Sequence, residues 1–263
     1  MTFLVRIAAG LFALALPSLA VAEIPATVDM ADMTWMDVRG AIERGTTTAI
    51  VPSGGIEQNG PHMVLAKHDY IVYAAAQRIA KALGNTLVAP VVSYVPQGDY
   101  QPPTGNMLFP GTIGVPEPVF AGVLEGIARS LKQAGFKTIC LIGDHGGNQA
   151  AQATVAAKLN REWAGQAKVL NVSEYYIDAA QIKMLRDKGE TDATIGSHAG
   201  LIDTAELMSV QPDGVDLKRL AAVPARKEAA GHSGDPSRAT AELGTALLDM
   251  RVNAAIKQIR AAN

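Results

Sequence analysis

Cysteine is nearly missing from this chain: Cys140 is the only one among 263 residues, so no internal disulfide can form. It sits in the apolar run TICLIG, where a free thiol behaves as a small buried hydrophobe. Aromatic residues make up only 5% of the chain, with two tryptophans, Trp35 and Trp163. Neither sign of charge is in excess; the formal net charge is -2, and no basic cluster is interleaved with aromatics. That removes the electrostatic case for nucleic acid as a partner. What remains is an ordinary globular balance, 48% hydrophobic and 18% charged, with room for one large α/β domain.

One apolar run stands apart. Arg6 precedes IAAGLFALALPSLAVA, which ends in Ala20-Val21-Ala22. A positive start, a short apolar core and an A-x-A site define a secretory signal peptide over residues 1–22. The run is short for a membrane span, and no second candidate follows. The expectation is a mature chain, residues 23–263, that is soluble, periplasmic or secreted, and free of the membrane after cleavage.

Downstream, strand-like and helical patterns alternate. Thr34 is placed to cap a helix over TWMDVRGAIERG, and Thr46 to Pro52 reads as a buried strand. DYIVYAAAQRIAKALG is amphipathic and closed by Gly84, and NTLVAPVVSY is a second strand interrupted by Pro90. A Gly/Pro-rich loop from Gln97 to Pro118 has the length of a functional loop or lid. A helix to Ala134, a strand from Lys137 to Ile142, a helix to Trp163 and a strand from Lys168 to Tyr176 follow. Lys183 to Thr194 is polar and reads as a surface excursion, and Arg226 to Arg238 as a glycine-rich loop. The last helix spans about Ala239 to Arg260. This alternation predicts an α/β fold with a mostly parallel sheet and helices on both faces, in one domain.

Three polar clusters fall where strands end. GGIEQNGPHMVLAKHD, from Gly54 to Asp69, gathers Glu57, Asn59, His62, His68 and Asp69 in one short segment. Two readings fit it alone: a metal-site loop at the carboxyl end of a strand, or a polar loop whose His and Asp cap helices. GDHGGN places His145 between a strand end and paired glycines. It is a crevice residue or a hydrogen-bonded turn residue, with Asp144 or Asn148 available to hold its other ring nitrogen. GSHAGLID adds His198 and Asp203; Asp203 alone would be an ordinary helix cap. His232, among Ser233, Asp235 and Ser237, reads as loop polarity.

Together the clusters resemble those of the creatininase family, the creatinine amidohydrolases. The family's Gly-Ser-x-Glu-Gln-His-Gly-Pro-His is matched by Gly54-Gly55-Ile56-Glu57-Gln58-Asn59-Gly60-Pro61-His62. Its FPGT is Phe109-Pro110-Gly111-Thr112, and its Asn-Gly-His-Gly-Gly-Asn is Gly143-Asp144-His145-Gly146-Gly147-Asn148. Its His-Ala-Gly-Glu-x-Glu-Thr-Ser is His198-Ala199-Gly200-Leu201-Ile202-Asp203-Thr204-Ala205. GDPSRATAELG, from Gly234 to Gly244, is similar to its C-terminal segment.

The resemblance implies a three-layer α/β/α fold, a metal-dependent hydrolase of C–N amide bonds, a small-molecule substrate and a homo-oligomer, often a hexamer. It also implies a two-ion site held by the motif Glu, His and Asp, the GHGG His and a later carboxylate. Here the motif His is Asn59, the bridging Asp eleven residues after Glu57 is His68, and the later carboxylates are Leu201 and Asp203. The expected metal ligands are therefore Glu57, His68, His145 and Asp203, holding one divalent ion per subunit, with Asp69 able to restore a bridge if the loop shifts. Imidazoles and carboxylates without thiolate suit Zn, Mn or Fe. His198 is the expected proton-transfer residue, and the amides of Gly146 and Gly147 the expected oxyanion donors. Creatinine itself is a poor fit, because both tryptophans fall in predicted helices. The competing readings are a small-lactone hydrolase and a non-catalytic periplasmic binding or scaffold protein on the same fold.

Intact-mass measurement on protein recovered from an exporting host is expected to show a chain that begins at Glu23. Recovery of a chain that still begins at Met1 in the membrane fraction would refute the signal assignment.

Overall fold

The computed structural model describes residues 27–222 and 231–262; the expected signal segment, residues 1–22, and residues 226–230 of the glycine-rich loop lie outside them. Thr34 caps α1 (Trp35–Glu43) reciprocally: its hydroxyl accepts from the Asp37 amide, and the Asp37 carboxylate accepts from the Thr34 amide. β1 (Thr48–Ser53) follows, then α2 (Lys67–Leu83) and β2 (Thr86–Val88). α3 (Glu117–Ala134) leads to β3 (Thr138–Gly143), α4 (Gln149–Trp163) and β4 (Lys168–Asn171). The C-terminal part holds α5 (Ala179–Asp187), α6 (Asp192–Ile195), α7 (Leu201–Val210) and α8 (Ala241–Ala262).

All strand pairings are parallel, and the sheet order is β2-β1-β3-β4. Thr48 pairs with Thr86 on one side and Thr138 on the other. Both faces of the sheet are covered, which is why β1 and β3 are buried along their full length. Ile50, Cys140 and Ile142 point to one face and pack under α2 and α8 through Ile71, Ala75, Leu248 and Val252. Val51, Ile139 and Leu141 point to the other and pack under α3 and α4 through Phe120, Leu124, Val155 and Leu159. This is the three-layer α/β/α arrangement with a parallel sheet. Cys140 is buried, and burial pushes its thiol up to about 12.

The sequence reading departs from the structure in three elements. β2 stops at Val88, short of Pro90, although the Val92 amide still donates to Pro52 O. β4 ends at Asn171, and a short helical turn over Ser173–Tyr175 replaces the rest of the expected strand. The supposed polar excursion is α5 and α6. Its surface is solvated and carries a Lys183–Asp187 pair, but Gln181 and Leu185 form a narrow buried stripe. Gln181 Nε2 donates to Glu206 and to Leu247 O, which fastens α5 to α7 and α8.

The order β2-β1-β3 makes the gap beyond the carboxyl ends of β1 and β3 the switch point of the sheet, where open α/β folds place ligands. No helix among the described residues is long and apolar enough to cross a membrane.

α7 and α8 pack almost backbone to backbone at Gly244, where a Cβ would sit 1.7 Å from Ala205 O. Gly244→Ala is expected to lower stability by about 1–3 kcal/mol in a denaturant titration, the usual result of forcing volume into a full interface. A loss under about 0.5 kcal/mol, the scatter of neutral surface changes, would show that this contact is not tight in solution.

Candidate metal centre

The loop after β1 and the loop after β3 meet at the switch point. Gly54 is required there by close approach: a Cβ would fall 2.0 Å from Asp69 Oδ1. That carboxylate accepts from the Gly55 amide at 2.9 Å and ties the loop to the start of α2. Asn148 Nδ2 clamps the same strand end through Ser53 O and Gly54 O, both at 3.0 Å. Asn59 Nδ2 donates to Glu57 O and Val64 O, so this residue shapes the loop and turns away from the centre. His62 is also directed elsewhere, with Nε2 2.9 Å from Thr204 Oγ1 and its ring edge-on to His232. Burial, aided by His232, lowers its imidazole to about 4.

These restraints push Glu57 into the crevice with no solvent exposure. Its Oε1 lies 2.8 Å from His68 Nε2 and its Oε2 lies 2.7 Å from His145 Nε2. Asn106, from the Gly/Pro-rich loop, donates to the same Oε2. Asp144 orients His68, not His145, by a 2.6 Å contact to Nδ1. Tyr175 Oη and Arg251 hold the other Asp144 oxygen, each at 2.9 Å. Arg251 continues to Glu206 at 2.8 Å; burial still raises the Glu206 carboxyl to about 7 against that positive charge.

Three of the four ligands expected from the sequence are thus brought together: the donor atoms of Glu57, His68 and His145 lie within 4.8 Å of one another. Asp203 stands apart, with Oδ2 taken by Lys67 Nζ at 2.9 Å and by the Ala199 amide at 2.7 Å. Asp69, committed to Gly55, does not bridge. His198 lines the crevice, with Nε2 3.1 Å from Gln58 O and Nδ1 3.8 Å from Glu57 Oε1. The Gly147 amide points at His145 Nδ1 at 3.0 Å, so it is engaged and not available to an oxyanion.

The donor set fits one divalent ion. A carboxylate and two imidazoles converge, and Asp144 behind His68 forms the carboxylate–histidine pair that orients metal-binding imidazoles. The Gly147 amide must turn aside when His145 takes the metal-binding tautomer. Lys67, Tyr175 and Arg251 are the contributors least visible in the sequence. Lys67 lies inside the motif segment as an ordinary lysine, Tyr175 and Arg251 lie far from it, and only the fold brings all three to the site.

Above this cluster is a cavity of about 320 Å³, whose walls include Tyr176, Asp178, Gly196, His198 and Ile202. Neither tryptophan reaches it: Trp163 is in the core under α4, and Trp35 is on the surface under Arg39. A cleft of this size at the switch point suits a small molecule.

An imidazole–carboxylate cluster at the switch point of a parallel sheet defines an α/β protein with a candidate metal centre. Comparison narrows the class. The family model for creatininase, creatinine amidohydrolase, matches residues 31–259, and the chain belongs to that family of metal-dependent hydrolases of C–N bonds. It is similar to the creatinine amidohydrolase of Pseudomonas putida, 26% identical over 254 residues that cover 89% of this chain and 96% of that one. It is also similar to the mycofactocin precursor peptide peptidase of Mycolicibacterium smegmatis, 26% identical over 80% of this chain and 83% of that one. A crystal structure of creatininase superposes with a TM-score of 0.71 at 25% identity, covering 89% of this chain and 97% of that one. Solved creatininases include zinc and manganese forms.

Burial and Lys67 both disfavour a charged His68, but the carboxylates of Glu57 and Asp144 outweigh them and raise it to about 9. A raised value means that the folded chain holds this proton more tightly than the unfolded chain does. The resulting stability is complete below about pH 6.5 and disappears as pH rises through about 9. Thermal midpoints of chelator-treated protein should therefore fall between those values, and the fall should be absent in His68→Gln. An equally steep fall in that variant would remove the assignment.

Proposed function

We propose that this chain hydrolyses the C–N bond of a small cyclic amide or formamide, using one divalent ion held by Glu57, His68 and His145. The observation that carries this reading is the convergence of those three donors on the floor of a small-molecule cavity, with His198 beside them. A Zn, Mn or Fe ion bound there would supply Lewis acidity toward water and toward the amide carbonyl.

The chain's own groups do the rest. Burial opposes a charge on Glu57, yet His68, His145 and Lys67 hold its carboxyl well below the usual range, so it remains an anionic ligand. His198 Nε2 faces Gln58 Nε2 at 2.8 Å and Gln58 O at 3.1 Å; the tautomer that donates to Gln58 O requires the Gln58 amide to turn aside, and it leaves Nδ1 as a lone pair on the Glu57 side of the crevice. Burial, aided by Lys67, lowers this imidazole below its ordinary value and keeps it neutral near pH 7. It can then accept a proton from attacking water and return it to the departing nitrogen. Tyr176 and Ile202 shape the walls and limit water around the bound amide.

Cyclic-amide and peptide substrates both occur among the names of similar proteins, which supports amide hydrolysis more than any single substrate. Export to the periplasm rests on the N-terminal sequence, and a homo-oligomer rests on the family resemblance.

The test is hydrolysis of a panel of lactams, formamides and lactones, with chelator-treated protein as the control. On the best amide, His198→Ala is expected to reduce turnover by ~10²–10⁴-fold, the usual range for a lost acid–base group, without changing ion content. Unchanged turnover would remove His198 from proton transfer, and hydrolysis confined to lactones would replace the amide assignment.

A further inference from the structure

Lys67 neither ligates an ion nor moves a proton in the chemistry just described, yet it sits at the middle of the site. Its side chain is fully buried, as is that of Glu57. Its Nζ lies 2.9 Å from Asp203 Oδ2 and 3.7 Å from Glu57 Oε1. These carboxylates come from opposite sides of the crevice, Glu57 from the loop after β1 and Asp203 from α7. The imidazole of His198 approaches the same Glu57 oxygen, at 3.8 Å. Two carboxylates from opposite walls therefore converge on one buried cation, and an imidazole approaches one of them.

We propose that Lys67 is a built-in cation that takes the place of a second divalent ion between Glu57 and Asp203, and so limits the centre to one ion. The proposal rests on the reading that Glu57, His68 and His145 hold that ion. Lys67 acts as a positioning residue: it keeps Asp203 out of the coordination sphere and satisfies one side of Glu57 permanently. Three buried or half-buried carboxylates, Glu57, Asp144 and Asp203, face two permanent cations, Lys67 and Arg251. One divalent ion already brings these groups to a net charge of at most plus one, with Glu206 sharing Arg251. A second would add charge beside an ammonium in a place with little water to screen it. Asn59 contributes to the same end, since its amide is spent on backbone carbonyls.

The experiment compares wild type with Lys67→Met, of similar length and no charge, and with Lys67→Arg, which keeps the charge. Each is stripped with chelator and titrated with MnCl₂; bound manganese is measured by elemental analysis, and thermal midpoints are read with and without the ion. One equivalent is expected in wild type and Lys67→Arg. Two are expected in Lys67→Met, with a larger gain in midpoint on adding manganese. A Lys67→Met chain that folds only with manganese and then holds two equivalents also supports the proposal.

Two equivalents in wild type overturn the proposal and leave the hydrolase reading intact. A folded Lys67→Met protein with one equivalent and a wild-type midpoint gain overturns it as well, as does a variant that no level of manganese can fold. Absence of any bound ion in wild type overturns the single-ion reading and this proposal with it.

Discussion

Glu57 is an ionised carboxylate without access to solvent, and the architecture around the crevice follows from keeping it charged. Burial alone would neutralise it. His68, His145, Lys67 and Asn106 all reach it, from α2, the loop after β3 and the Gly/Pro-rich loop. Each of those partners needs support of its own. Asp144 answers His68, Arg251 and Tyr175 answer Asp144, and Asp203 answers Lys67. The chain of contacts runs on to Glu206, between α7 and α8, and through it to Gln181 of α5. A carboxylate at the end of β1 is therefore tied electrostatically to the C-terminal helix, and truncating any interior member would strand a buried charge, a loss of roughly 3–5 kcal/mol.

The sheet order makes this network possible. With β2 and β3 on opposite sides of β1, the loops leaving β1 and β3 diverge and open a crevice. Lys67 and His68 sit at the first turn of α2, the positive end of the helix dipole, which is a poor place for cations. The helix tolerates them because Asp203, Glu57 and Asp144 lie directly opposite. Asp69, one residue further along, does the work of loop closure with its carboxylate, so successive residues serve different purposes because they point in different directions around the helix.

That division explains which parts were legible from the residues. The parallel α/β layers followed from alternating apolar runs, and Glu57, His68 and His145 stood out because their segments end strands and carry glycine. Local signals were enough for the layers; choosing these three as ligands among the other polar residues of their segments took the resemblance to the creatininase family. Lys67 was invisible: an ordinary lysine in a segment read as loop, since the helix appeared to begin at Asp69 with its favourable charge. Arg251 looked like any surface arginine on a long amphipathic helix, and its approach to Asp144 depends on how α8 crosses the sheet. The Gly146-Gly147 turn promised free amides, but the His145 ring folds back on one of them. α5 was hidden because its buried stripe contains a glutamine, whose partners come from two distant helices. Except for that local His145 contact, the deciding partners lie far away in sequence.

The balance of charge also bears on how an ion would enter. Glu57, Asp144 and Asp203 are matched, before any ion arrives, by Lys67, Arg251 and a protonated His68. A centre already neutral does not need a metal to fold around, unlike small domains whose unpaired thiolates and imidazoles make metal binding and folding one event. An ion would enter a preformed site and would have to displace a proton of His68, since that imidazole can ligate only when neutral. Glu57, which faces the Nε2 proton of His68, would also hold the ion, so proton and metal compete for that carboxylate while Asp144 keeps its contact with Nδ1. Lys67 and Arg251 do not take part in this exchange, because neither gives up its charge. They determine how much positive charge the crevice can still accept, and so divide the site into a permanent half around Asp203 and an exchangeable half around His68.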